Sequence, residues 1–327
     1  MKISIGQKTD VGCVREANED SFYVELPEEA APKGGASRYG LLVVADGMGG
    51  QVAGKEASMI AVDVVKSLFE VKTKTGKPLK QIKKFMLDVF RRANQTVFKQ
   101  GKAKALEMGT TLTAALIDEK NAYISSVGDS RVYHIRQREI TQVTEDHTLA
   151  EDMVKKGKAT REEVKTSPMR SMLTRSIGTK EEVAVDDPIG IELVEGDCLV
   201  LCTDGLTNLV EDGEILSVVH NTADLQKACN KLVDMARMRG GHDNITVVAA
   251  EFGALERIKG LGIRAKTARV KRPRPEKRRM IIMSAIGLLV ALFIALAYFF
   301  IIHYVRDGSF YQHPASAGNG GGEGAAP

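Results

Sequence analysis

Short apolar segments alternate with longer amphipathic ones along the first 253 residues. Four segments with apolar residues three and four positions apart predict helices at 55–70, 79–104, 212–220 and 225–238. Six segments rich in β-branched and other apolar residues predict strands at Tyr39–Ala45, Thr110–Ile117, Ala122–Val127, Arg131–Ile135, Cys198–Cys202 and Ile245–Ala250. Because the helices come in blocks rather than after every strand, the pattern predicts an α+β fold with antiparallel sheets covered by helices.

Two turn signals lie among the central strands. Glu119-Lys120-Asn121 separates the second strand from the third, and Gly128-Asp129-Ser130 separates the third from the fourth. Both sets of residues are typical of tight turns. The pattern therefore predicts a three-stranded antiparallel meander over residues 110–135.

The C-terminal part has a different pattern. Residues 281–302 carry no charge, and a helix of that length spans about 33 Å, enough to cross a hydrocarbon core of about 30 Å. Helices of a protein core rarely stay apolar on every face for so long. We therefore expect a transmembrane helix over 280–304 and a short extracytoplasmic tail over 305–327, whose Gly/Ala-rich end lacks the apolar residues to fold.

The net charge of +4 conceals an asymmetry between the two parts of the chain. Residues 1–253 carry a net charge of −4 and residues 254–327 a net charge of +8. Eleven Lys and Arg residues lie between Arg257 and Arg279, and only Arg306 is basic beyond the apolar segment. This bias predicts a single-pass protein of the cell membrane with residues 1–253 in the cytoplasm. The basic linker, 254–279, is expected to contact anionic lipid rather than nucleic acid, because it adjoins the span.

Four aspartates stand where apolar strands end or begin. Asp46, Asp129 and Asp204 each follow a strand beside a glycine, and Asp243 precedes one. If these strand ends share one rim of a sheet, the carboxylates converge, and crowded carboxylates need a cation to stay ionised. Because the four cysteines and six histidines show no zinc-ligand spacing, oxygen-only coordination predicts Mg²⁺ or Mn²⁺. Taken singly, each aspartate is equally typical of a turn.

An arginine precedes a pair of acidic residues near the N-terminus. Arg15 stands five residues before Asp20, with Glu19 between them. A guanidinium fork suits the bidentate binding of phosphate. Without further context, the same hexapeptide is typical of a solvated, charged strand.

Eight short motifs occur in the order found in a known family. They resemble the bacterial branch of the metal-dependent PPM (PP2C-like) Ser/Thr protein phosphatases, and the resemblance covers nearly all of residues 1–253. It implies a four-layer β-sandwich of two antiparallel sheets flanked by helix pairs. The motifs are RxxNxD at 15–20, ADGMGG at 45–50, GTT at 109–111, VGDSR at 127–131, DH at 146–147, LTRSIG at 173–178, TDG at 203–205 and DN at 243–244.

The resemblance implies a ligand set for two ions, Mn²⁺ or Mg²⁺. Asp46 would bridge both ions, and the carbonyl of Gly47 would complete the ligands of one. Asp204 and Asp243 would hold the other. Asp129, with Asp204, would help to hold a third and weaker ion. The segment from about 146 to 181 is similar to the flap that covers the site in this family.

The resemblance also implies the reaction. Water activated by the metal ions would hydrolyse phosphoserine and phosphothreonine in proteins, with Arg15, Asp20 and Asp46 as the catalytic residues. Arg15 would bind the phosphate, while Asp20 and Glu19 would act through metal-bound water. Met48 stands where eukaryotic relatives have a histidine, so the donor of a proton to the leaving group is not identified. The implied partners of this monomeric catalytic domain are phosphoproteins, including a Ser/Thr kinase and its targets.

Two alternatives come from other classes of protein. Gly49-x4-Gly54-Lys55 is similar to a nucleotide-binding P-loop, but Glu56 stands where a metal-binding Ser or Thr is required. The second alternative is a catalytically inactive, membrane-tethered scaffold with the same fold. The retention of Arg15, Asp20, Asp46, Asp204 and Asp243 argues against it.

Overall fold

The computed structural model describes residues 1–27, 39–73, 79, 81–165, 167–255 and 268–269. Its helices are α1 Gln51–Thr73, α2 Ile82–Lys104, α3 Leu149–Lys155, α4 Arg161–Lys165, α5 Asp204–Thr207, α6 Asp212–Asn221 and α7 Leu225–Met238. Its strands are β1 Ile3–Asp10, β2 Ser21–Glu25, β3 Tyr39–Ala45, β4 Gly47–Met48, β5 Gly109–Thr110, β6 Leu112–Asp118, β7 Asn121–Val127, β8 Arg131–Arg136, β9 Glu139–Gln142, β10 Ile189–Glu192, β11 Asp197–Cys202, β12 Ile245–Phe252 and β13 Ala268–Arg269.

Two large sheets form the centre of the fold. One contains six strands in the order β1-β12-β11-β8-β9-β13, and the other contains five in the order β10-β7-β6-β3-β2. Neighbouring strands are antiparallel except β9 and β13, which are parallel. The predicted α+β class with antiparallel sheets is therefore confirmed. β4 and β5 form a separate two-stranded ribbon, the small sheet.

Three clusters of buried apolar side chains separate four layers. Along β3, Leu41 and Val43 pack against α1 and α2, while Leu42 and Val44 face the six-stranded sheet. Since β3 is buried on both faces, it is a continuous apolar run rather than an alternating one. A third cluster joins the six-stranded sheet to α6 and α7. The layers are thus helices, sheet, sheet and helices.

The bounds of the main helices lie close to those that the amphipathic patterns predict. α7 begins at the predicted residue because Asp224 caps it, its Oδ1 accepting from the N–H of Lys227 over 2.7 Å. Its apolar residues recur every three or four positions and are buried. α1 begins at Gln51, four residues before the predicted start. Gly54 and Lys55 therefore lie inside a helix, which excludes the glycine-rich loop of a P-loop.

The predicted three-stranded meander is wrong at its second turn. β6 and β7 do form a hairpin that closes at the pair Asp118–Asn121. β8, however, belongs to the other sheet, so the chain crosses between sheets at Gly128. Gly128 has a φ of 111°, and a Cβ there would lie 2.5 Å from Cγ2 of Thr111. Only glycine fits this close approach, which turns the backbone out of the plane of the first sheet.

A long segment joins β9 to β10 in the region predicted to resemble a flap. It contains α3, α4 and a 3₁₀ turn at Pro168–Ser171. An isolated bridge between Thr148 and Leu173 brings its two ends together. This excursion therefore leaves and rejoins the fold at one point.

The C-terminal predictions fall mostly outside the described residues. The predicted span, 280–304, and the tail, 305–327, lie wholly outside them, as does most of the basic linker. In the part of the chain that the structure describes, no helix is long and apolar enough to cross a membrane. The linker residues Ala268–Arg269 pair with Thr141 and Gln142 at the edge of the six-stranded sheet.

Candidate active site

The four predicted aspartates lie together at one end of the sandwich. Asp46 and Asp129 follow β3 and β7 of the five-stranded sheet, while Asp204 follows β11 and Asp243 precedes β12 of the six-stranded sheet. All four line one cavity of about 640 Å³, which we call the catalytic cavity. Arg15 also lines it. The predicted convergence of these side chains is therefore present, although the roles of the individual residues stay predictions.

The carboxylates disfavour one another's ionised forms. Removal from solvent raises the pKa of Asp46 well above its usual value, and the charges of Asp20, Asp204 and Asp129 raise it further. Burial and then the charge of Asp204 do the same to the pKa of Asp129. Burial and the charge of Asp243 raise the pKa of Asp204. Such a cluster stays ionised at neutral pH only beside compensating positive charge.

Two carboxylate oxygens in the cluster are buried without a hydrogen-bond partner. Oδ2 of Asp20 accepts from Thr203 Oγ1 over 2.9 Å and from Thr246 Oγ1 over 2.6 Å, whereas Oδ1 has none. Burial is the main cause that raises the pKa of Asp20 to about 7. Oδ2 of Asp204 accepts from Nδ2 of Asn208 over 2.9 Å, and Oδ1 again has no partner. Each orphaned oxygen costs free energy unless a ligand satisfies it.

These observations fit a hard divalent cation. The available donors are carboxylate oxygens and a backbone carbonyl, which are the ligands that Mg²⁺ and Mn²⁺ prefer. Within the described residues, no group of three or more Asp, Glu, His or Cys side chains is already arranged to hold a metal ion. The support for a metal site therefore comes from the chemistry of the donors and from the orphaned oxygens. It does not come from a complete coordination shell.

Arg15 reaches the cavity but is engaged with an acidic residue. Its Nη2 lies 2.8 Å from Oδ2 of Asp243, and about half of its side chain is exposed. This pairing raises the pKa of Arg15. The residue predicted to bind phosphate thus pairs with a residue predicted to bind metal.

Glu19 and Gly47 lie beside the carboxylates as predicted. Glu19 is buried, and the loss of solvent is the main cause that raises its pKa. Its backbone N–H donates to Oδ1 of Asn244 over 2.8 Å. A Cβ on Gly47 would lie 2.2 Å from the carbonyl oxygen of Gly54, so no larger residue fits where β4 approaches α1.

The structure identifies residues that position Asp46. The sequence alone assigned these supporting residues no role. The N–H of Asp46 donates to Oγ1 of Thr111 over 2.9 Å. Its carbonyl accepts from Oγ1 of Thr110 and from the N–H of Thr111, both over 2.8 Å. Oγ1 of Thr111 also lies 2.7 Å from Oγ of Ser130. The motif at 109–111 was the signal, but only the fold shows that it holds the Asp46 backbone.

His147 and Arg131 likewise support the corner that carries Asp129. The N–H of Gly128 donates to Nδ1 of His147 over 3.2 Å, so Nε2 is the atom that donates to Asp186, 2.9 Å away. Arg131 contacts both carboxylate oxygens of Asp146 with its Nε and Nη2. These bonds tie the corner to the base of the excursion.

Comparisons with known proteins agree with this architecture. Residues 31–238 match the family model described as protein phosphatase 2C. The protein phosphatase PhpP of Streptococcus pneumoniae is 35% identical over 250 residues, covering 76% of this chain and 96% of that protein.

Solved structures of serine/threonine phosphatases are also similar to this chain. The serine/threonine phosphatase PstP/Ppp of Mycobacterium tuberculosis has a TM-score of 0.67 at 33% identity, over 77% of this chain and 99% of its own. A PstP catalytic domain in complex with two manganese ions has a TM-score of 0.63 at 31% identity, over 77% of this chain and 99% of its own.

Proposed function

The chain belongs to the protein phosphatase 2C family of serine/threonine phosphatases, and we propose that it hydrolyses phosphoserine and phosphothreonine in proteins with two bound Mn²⁺ or Mg²⁺ ions. The observation that carries this proposal is the cluster of buried carboxylates with orphaned oxygens on Asp20 and Asp204. The repulsion within the cluster is otherwise an uncompensated cost to folding.

The proposed ligands are the residues at the ends of the strands. Asp46, the carbonyl of Gly47, Asp204 and Asp243 would hold the two ions, and Asp129 would help Asp204 to hold a third. When bound, the ions supply Lewis acidity, lower the pKa of water and neutralise charge on the phosphoryl group.

The remaining residues of the cavity orient and bind. Arg15, which pairs with Asp243, would grip the substrate phosphate with its guanidinium fork once Asp243 binds metal instead. Thr110 and Thr111 hold the backbone of Asp46 in place. Met48 lines the cavity and has no proton to donate, so the leaving group takes its proton from another source.

The proposal also includes a subcellular localisation at the membrane. The uncharged residues 281–302, preceded by eleven basic residues, support a single-pass anchor with the catalytic domain on the cytoplasmic side. A phosphatase tethered there would meet phosphoproteins at the membrane surface at high effective concentration. Such an enzyme would oppose a Ser/Thr kinase that acts at the same surface.

The experiment that tests the activity uses the full-length chain purified in detergent. Release of phosphate from p-nitrophenyl phosphate and from phosphoserine peptides should require Mn²⁺ or Mg²⁺ and stop when EDTA is added. Calorimetric binding of Mn²⁺ to the wild type and to Asp46→Asn provides a readout that does not depend on turnover. Binding of the ion without any hydrolysis would favour the inactive scaffold, and hydrolysis that survives EDTA would contradict the metal-dependent reaction.

A further inference from the structure

A second basic side chain lines the catalytic cavity. Lys180 is exposed and contributes to the cavity wall together with Arg15, Met48 and Thr179. We propose that Lys180 binds the phosphate group of the substrate alongside Arg15, an inference that rests on the proposed function. Lys180 lies just beyond the motif at 173–178, and the family resemblance assigns it no role.

The backbone that carries Lys180 is built onto the small sheet. β4, which contains Gly47 and Met48, pairs with β5. Thr110 of β5 exchanges two backbone hydrogen bonds with Ile177, of 3.0 and 2.8 Å. Three extended segments therefore run side by side, and the third continues directly into Thr179 and Lys180.

Side-chain packing brings the same segment against Met48. A Cβ on Gly109 would lie 2.9 Å from Cγ of Met48 and 2.9 Å from Cγ2 of Thr179. These two side chains thus meet over the same backbone position, at the wall of the cavity. Lys180, the next residue, lines the same cavity as Met48 and Thr179.

Asn94 fixes the position of this segment from the other side. It lies in α2 and is 1% exposed. Its Nδ2 donates to the carbonyls of Lys180 and Glu181 over 3.0 and 2.9 Å, and its Oδ1 accepts from the N–H of Gly178 over 2.8 Å. A buried amide whose two ends are both satisfied by one segment holds that segment rigidly. The backbone at Lys180 therefore needs no ordering when substrate binds.

The charge of the cavity favours a second basic side chain beside Arg15. Five carboxylates line it, from Glu19, Asp46, Asp129, Asp204 and Asp243, and they repel a phosphate dianion. Arg15 and two divalent ions would together only balance these five charges, so a bound phosphate brings an excess of negative charge. No ion pair of Lys180 is present within the described residues. An ammonium group on a flexible stem is well suited to bind a phosphate oxygen.

The test compares three variants of the full-length chain loaded with Mg²⁺. Lys180→Met removes the charge and keeps the length, Lys180→Arg keeps the charge, and Lys231→Met removes an exposed lysine of α7 that does not line the cavity. The readouts are kcat and KM for p-nitrophenyl phosphate and for a phosphoserine peptide, the inhibition constant of inorganic phosphate, and the rise in Tm that inorganic phosphate causes.

For Lys180→Met we expect KM and the inhibition constant of phosphate to rise together by about fivefold, as for a partly exposed charged contact. The value of kcat should change by less than about twofold, since binding is lost uniformly. The rise in Tm should shrink in parallel. Lys180→Arg should stay close to the wild type, and Lys231→Met should be indistinguishable from it.

Two results would overturn the proposal. One is an unchanged phosphate inhibition constant in Lys180→Met while the wild type is active, which leaves the proposed function intact. The other is a fall in kcat confined to phosphoserine peptides, with phosphate binding unchanged, which would make Lys180 a proton donor instead. A wild-type chain that hydrolyses neither substrate contradicts the proposed function itself.

Discussion

Nη2 of Arg15 lies 2.8 Å from Oδ2 of Asp243, so the proposed phosphate-binding group and a proposed metal ligand neutralise each other. A cation that binds Asp243 competes with this pair and frees the guanidinium. Metal binding would therefore prepare the cavity for phosphate by releasing Arg15, in addition to supplying charge of its own.

Replacement of Arg15 tests this relationship. In Arg15→Ala, we expect KM for p-nitrophenyl phosphate to rise about tenfold or more with a smaller loss of kcat, since a phosphate contact is lost. Calorimetry should show that Mn²⁺ binds at least as tightly as in the wild type, because Asp243 no longer has a competing partner. A loss confined to kcat would indicate that Arg15 acts in the transition state alone.

Neutral replacements of the clustered carboxylates should separate activity from stability. In Asp46→Asn and Asp204→Asn, kcat should fall about a hundredfold or more, because Asp46 is the proposed ligand of both ions and Asp204 the proposed ligand of one. Without metal, both variants should melt at or above the wild-type Tm in EDTA, because an amide carries neither the repulsion of a buried ionised carboxylate nor the cost of protonating it at neutral pH. Asp234→Asn, at an exposed position of α7, provides the control. An unchanged kcat in both variants would refute the ligand assignment.

Asp197 should contribute stability that is lost in acid. Its carboxylate receives hydrogen bonds from Nε and Nη2 of Arg136, of 2.8 and 2.7 Å, and from the N–H of Val194. Although burial alone would raise the pKa of Asp197, the contacts with Arg136, His134 and Val194 lower it below its usual value. A lowered pKa in the folded state means that the stabilisation is complete above the unfolded pKa of about 3.9 and declines below it.

The substitution Asp197→Asn measures that contribution. We expect it to lower the free energy of unfolding at pH 7 by about 1 to 2 kcal/mol. The effect is no larger because Arg136 is partly exposed and solvent screens its charge. The difference from the wild type should shrink progressively as the pH falls below about 4. Urea unfolding at several pH values gives the result. A difference that stays constant down to pH 2 would show that charge is not its source.

Removal of residues 280–327 tests the proposed anchor. The truncated chain should appear in the soluble fraction with turnover of p-nitrophenyl phosphate nearly unchanged, because every motif precedes residue 280. Dephosphorylation of membrane-localised substrates in cells should fall, since tethering no longer concentrates the enzyme. Digestion of the wild-type catalytic domain by protease added outside spheroplasts would contradict the predicted orientation.

Strands buried on both faces were the most predictable part of the fold. β3 and residues 198–202 of β11 are uninterrupted apolar runs, whose burial explains their composition. β1 and β2 escaped prediction because both are edge strands, and most of their residues are only partly buried. Their sequences therefore mix polar and apolar residues without a clear period.

The sequence predicted those residues of the site that stand directly at the ends of apolar strands. An aspartate directly after an apolar strand lies at its rim, so Asp46 and Asp204 could be placed together. Asn94 could not be linked to Lys180, because a single buried amide in the middle of a helix has no sequence pattern that identifies its partners 86 residues away. The crossing at Gly128 was missed for a related reason, because turn residues do not reveal which sheet the next strand joins.

The four aspartates that line the catalytic cavity are shared between the two sheets, two from each. Apolar side chains such as Leu42 and Leu199 pack between the sheets, so their volume would influence the width of the proposed cation site from a distance. Thinning or thickening this apolar layer would slide one pair of carboxylates relative to the other. Because Mg²⁺ demands tighter and more regular geometry than larger ions, we expect the interior packing of the sandwich to influence which metal ion the proposed site prefers.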